Sequence, residues 1–138
     1  MRKLAILGSL VLSLALITPA SAASDASWKA TLAQAGISGT VTVSITSTTV
    51  GTVVLNLKGL APRTLSVLWL RGGKCSSTAF PAVRVRWWVP ASGRLAVTLT
   101  IPPAMIGYFT FDMTHRGGIH ATMASGSATA CGQMSAVH

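Results

Sequence analysis

Residues 40–58 read TVTVSITSTTVGTVVLNLK, and the spacing of their apolar side chains decides the fold. Val41, Val43 and Ile45 alternate with Thr40, Thr42, Ser44 and Thr46. Val53, Leu55 and Leu57 alternate with Thr52, Val54, Asn56 and Lys58. A strand points successive side chains to opposite faces, so a period of two marks a half-buried antiparallel strand. The same period returns at Leu95, Val97, Leu99 and Ile101, and again at Phe109, Phe111 and Met113. Thr, Val and Ile dominate these runs, as a pleated surface prefers.

Turn signals separate the runs: TTVG at 48–51, GLAPR at 59–63, RGG at 71–73, PASG at 90–93, IPP at 101–103 and RGG at 116–118. Only WKATLAQAG at 28–36 suggests a helical turn or two. The expectation is an all-β, Greek-key antiparallel sandwich of about seven or eight strands with no long helix. It occupies residues 39–138, behind a short segment at 23–38.

The strand VRVRWWV at 83–89 sorts Val83, Val85, Trp87 and Val89 to one face and Arg84, Arg86 and Trp88 to the other. If it turns back at PASG onto residues 94–101, a four-residue loop mixes the two faces. An odd loop or a bulge is therefore expected there.

The first residues read as an export leader. Arg2 and Lys3 precede an uncharged run, Leu4–Ile17, too short to span a bilayer comfortably. Ala20 and Ala22 fit the small-x-small cleavage rule, which gives a signal peptide at 1–22, with Ala23 as the alternative last residue. No later stretch has the length and apolarity of a membrane span. The expected location is secreted or on the exterior of the cell envelope.

Removing Arg2 and Lys3 leaves nine basic residues against Asp25 and Asp112, a net charge of +7, and there is no glutamate. Two acids, one at the start of the mature chain, argue against paired-carboxylate glycoside hydrolysis and against calcium or magnesium sites. Cys75 and Cys131 form an even count in an oxidising compartment, which favours a disulfide over two buried thiols.

The order of several motifs is similar to that of the copper/zinc superoxide dismutases and CHRD-type secreted domains. Gly59, Leu60 and Pro62 match a GLxPG turn, Cys75 matches a loop cysteine, and Ala130-Cys131-Gly132 match a late ACG. The resemblance covers roughly residues 39 to 134. It implies a Greek-key sandwich whose disulfide ties a long loop to the last strand. In such proteins the turn leads into a G-F-H-V-H strand, matched here by Ser66-Val67-Leu68-Trp69-Leu70. Leu68 and Leu70 stand where copper ligands would be, and neither donates a lone pair to a metal. The position of the family's catalytic arginine, near Ala128, lacks one, and Arg63 replaces the last glycine of the turn. The resemblance therefore implies the fold without the catalytic metal site.

Two other constellations carry chemistry. His115 and His120 flank RGGI, with Met113, Met123 and Met134 nearby in sequence and His138 as the third histidine. Imidazole with thioether suits Cu(I), so His115, His120, Met113 and Met123 are the alternative metal ligands. Set against this, methionine in a β-core is ordinarily filler. Asp112 and His115 lack any nucleophile motif such as G-x-S-x-G. Arg84, Arg86 and Trp88 form a basic-aromatic stripe suited to an anionic cell-surface polymer. The expected function is a non-enzymatic binding or structural protein, without a cofactor or a nucleic-acid partner.

Overall fold

The computed structural model describes residues 26–75, 81–115 and 118–137. The expected leader at 1–22, Arg116 and His138 lie outside the described residues. The elements are β1 (Ala26–Gln34), β2 (Ile37–Ile45), β3 (Gly51–Lys58), β4 (Leu65–Gly72), β5 (Pro81–Trp88), β6 (Leu95–Thr100), α1 (Pro103–His115), β7 (Ile119–Ser125), β8 (Ala128–Gln133) and β9 (Ser135–Ala136). They form an all-β sandwich of two antiparallel sheets, with strand orders β6-β3-β2-β1-β9 and β5-β4-β7-β8. The β4–β5 hairpin sits in one sheet while β6 crosses back to lie beside β3, which is a Greek key.

The alternation quoted first sets the register. Val41 faces Leu55 and Val43 faces Val53 across β2 and β3. Leu55 and Leu57 face Val97 and Leu95 across β3 and β6. These side chains meet Leu68, Leu70, Ala121, Met123 and Ala130 of the other sheet in one buried core. Leu68 and Leu70 are thus core residues, at most 1% exposed. Ser66 is also buried, and its hydroxyl donates to Ser125 Oγ (2.9 Å), which in turn accepts from the Ala61 amide (2.8 Å). That pair pins the GLAPR turn to the end of β7.

Several sequence expectations are corrected. Residues 28–36 are strand, not helix: Trp28, Ala30 and Leu32 turn inward with period two. Ala35 and Gly36 take φ of 53° and 83°, the two left-handed residues of a tight hairpin that returns the chain as β2. The sandwich therefore begins at Ala26 rather than at 39, and it has nine strands.

Residues 108–114 are helix, not strand. Pro103 occupies the first helical position, where its missing N–H leaves nothing unpaired. Ile106 and Phe109 are buried and Met105 and Met113 partly so, a helical spacing that the period-two run Phe109, Phe111, Met113 concealed. The helix covers one end of the sandwich, with Phe109 edge-on to Trp28 (centroids 5.3 Å, 61°).

β5 and β6 do not form a hairpin. They lie in different sheets, and the residues between them cross from one to the other. The Arg63 amide donates to the Val89 carbonyl and the Val89 amide to the Thr64 carbonyl, both at 2.9 Å. The irregularity expected at 90–93 instead falls in the β4–β5 pairing, between Leu70 and Arg71.

Arg63, which replaces the last glycine of the GLxPG turn, has φ of 55°. It adopts the left-handed conformation that a glycine would take without steric cost. Among the described residues no helix is long and apolar enough to cross a membrane.

Candidate binding face

β5 is the edge strand of the four-stranded sheet, and it pairs with β4 so that Arg84 faces Trp69, Arg86 faces Val67 and Trp88 faces Leu65. Successive outward positions stand about 7 Å apart along a strand. Arg84, Arg86 and Trp88 are all exposed, as their alternation predicts. The neighbouring strand adds Leu65, Val67, Trp69 and Arg71 to the same surface. Trp88 is 59% and Leu65 52% exposed, so this apolar pair is an open patch beside the cations.

Arg71 lies with its guanidinium carbon 5.2 Å from the centroid of the Trp69 ring. Its Nε is buried and has no hydrogen-bond partner among the described residues. Indole held under a guanidinium gives a flat, cationic platform suited to planar or sugar-like ligands. The chain's only carboxylate side chains belong to Asp25, ahead of β1, and Asp112, in α1. No strand therefore carries an acid to neutralise Arg71, Arg84 or Arg86. Trp69 and Arg71 escaped the sequence reading, although the alternation within TLSVLWLR places both on one face with Leu65 and Val67.

The far side of this sheet surface carries the cysteines. The Cys75 and Cys131 sulfurs are at bonding distance, with Cα atoms 6.0 Å apart. The bridge joins the β4–β5 connection to β8. Beside it, the Thr122 hydroxyl points at Cys131 Sγ (3.5 Å).

Among the described residues the alternative metal ligands are not brought together. His120 lies in register with Arg71 on the outer side of β7, yet is only 1% exposed. Its Nδ1 is 3.0 Å from the Gly73 carbonyl oxygen. A carbonyl only accepts, so Nδ1–H donates and that nitrogen has no lone pair for a metal. Met123 leaves β7 on the opposite face, in the core, and Met134 is also buried. Met113 packs from α1 against the core. The side chain of His115 lies outside the described residues. No group of three or more His, Cys, Asp or Glu side chains able to hold a metal occurs among the described residues.

A scan against models of known protein families finds no match to this chain, and a search of curated proteins finds none either.

Proposed function

We propose that this chain is an exported, non-enzymatic β-sandwich that binds anionic polymer through the outer face of β4 and β5. The observation that carries the reading is the in-register set of Arg71, Arg84, Arg86, Trp69 and Trp88 on a sheet with no acidic side chain. Cations alone would give diffuse adsorption. Indoles interleaved at strand spacing add flat contact area for the sugar rings of a polymer carrying phosphate or carboxylate. Export is supported by the apolar run Leu4–Ile17 with Ala20 and Ala22 behind it, and by a bonded cysteine pair, which suits an oxidising compartment. The lack of catalysis is supported by Leu68 and Leu70, core residues where the dismutase resemblance would put copper ligands. In this reading the protein keeps a dismutase-like Greek key, with a loop cysteine bonded to β8, and uses it as a scaffold.

The test is heparin, as a soluble polyanion, titrated into the exported protein at several salt concentrations. Replacing Arg84 and Arg86 together with Ala should weaken binding and lower the slope of log affinity against log salt by about two phosphate-like contacts. Replacing Lys29 and Lys58, exposed on the other sheet, removes the same charge and should do markedly less. Equal losses from the two pairs would mean that net charge alone attracts the polymer.

A further inference from the structure

The two seams of the sandwich differ. At one, β1 and β8 are closed against each other. The Cys131 amide donates to Gln34 Oε1 (2.7 Å), and Gly132 lies so near the Thr31 carbonyl that a Cβ there would collide with it. At the other seam, β5 pairs only with β4 and β6 only with β3 among the described residues. Both strands therefore turn an unpaired backbone edge toward the same gap.

The core is incompletely covered at that gap. Val85, Val97 and Leu99 face inward but stay half-buried, and inward-facing Trp87 is 36% exposed. Their counterparts Val41, Val43, Leu68 and Leu70 are at most 1% exposed. The gap is a groove of about 360 Å³, walled by residues 83–86 of β5 and Leu99–Ile101, and bordered by Pro102 and Met105 of the β6–α1 region.

We infer that this open seam is a docking slot for an extended segment of a partner protein in which apolar residues alternate with acidic ones. Unpaired N–H and C=O groups on both walls are satisfied by a polypeptide strand and not by an acyl chain or a sugar. A strand turns alternate side chains to opposite faces. Those turned inward would cover Val85, Val97 and Leu99. Those turned outward would emerge beside Arg84 and Arg86, whose charges no strand of this chain neutralises. A second copy is a poor occupant, because its own β5 and β6 bring no acids and its arginines would repel these. The slot is a different surface from the polymer-binding face, although Arg84 and Arg86 border both.

The experiment uses the purified exported protein and a short capped peptide of alternating valine and aspartate. Two controls are the same residues in block order and the alternating peptide N-methylated at every second residue. The alternating peptide should bind and slow amide exchange in both β5 and β6. N-methylation should weaken binding about tenfold or more through lost backbone hydrogen bonds. Arg84→Glu with Arg86→Glu should transfer the preference to a valine–lysine peptide. The slot is refuted if the block-order peptide binds equally well, if the amides of β6 gain no protection, or if N-methylation has no effect. Any of these leaves the arginines as guards that keep a bare edge from pairing. Heparin binding measured on the same samples involves neither β6 nor peptide amides, so its survival or loss reports separately on the outer face.

Discussion

Replacing Phe109 with Ala tests the element that the sequence pattern hid. In a strand, Phe109, Phe111 and Met113 would share one face and be buried together. In α1 they diverge: Phe109 is 0% exposed and edge-on to Trp28, while Phe111 is 51% exposed. Deleting a fully buried phenyl ring loses its transfer free energy and leaves a cavity, together about 3–5 kcal/mol. About 0.5–1.5 kcal/mol of such a loss is the aromatic pair itself. For a chain of this size that loss lowers the melting temperature by about 12–20 °C. Phe111→Ala removes a ring already half in water and should cost about 1 kcal/mol or less. Urea unfolding followed by tryptophan fluorescence gives both values, provided the two variants share one slope against denaturant. Comparable losses from the two substitutions would refute the helix and restore the strand.

Replacing Cys75 and Cys131 together with Ser opens a loop closed over a separation of 56 residues, and the chain-entropy model puts the loss at about 4 kcal/mol. Urea titration of the oxidised protein and the double variant measures it, and a loss under about 1 kcal/mol would mean that the bridge adds little to the fold. Arg63→Gly should stabilise by about 0.5–1 kcal/mol, because glycine takes the left-handed conformation freely and the backbone N–H of residue 63 still donates to the Val89 carbonyl. Arg63→Ala is the control and should leave the melting temperature nearly unchanged; if Gly lowers it instead, the arginine side chain makes contacts that outweigh the backbone strain.

Strands whose inner face is wholly apolar and whose outer face is largely polar are legible at once, as at Val41–Ile45 and Val53–Leu57. There burial alone sets the pattern. β1 was harder, because WKATLAQ satisfies a short helix nearly as well as a strand, and only the partner strand decides. The helix is hidden for the converse reason: Phe109, Phe111 and Met113 imitate alternation, while Pro102 and Pro103 signal equally a turn and a helix start. Arg84, Arg86 and Trp88 were found from their own strand, since exposure follows from parity within it. Trp69 and Arg71 complete that face only through cross-strand register, which a single strand does not encode. The two seams were not legible at all. Whether β5 neighbours β6 depends on which sheet each joins, and the loop at 90–93 serves a crossover as well as a hairpin.

The Greek key also fixes an order of events during folding. β1, β2 and β3 pair with their neighbours in sequence through short turns, so this meander requires little loop closure. β3 then has to wait for β6, Thr52 meeting Thr100, and β4 for β7, Val67 meeting Ala124. Contacts of that span are slow to find, since the intervening chain loses its freedom before the contact forms. Until they form, both edges of the early meander are bare. The single-bridge arrangement limits the hazard in this interval: Cys75 has one possible partner in the chain, so oxidation can delay the late closure but cannot scramble it.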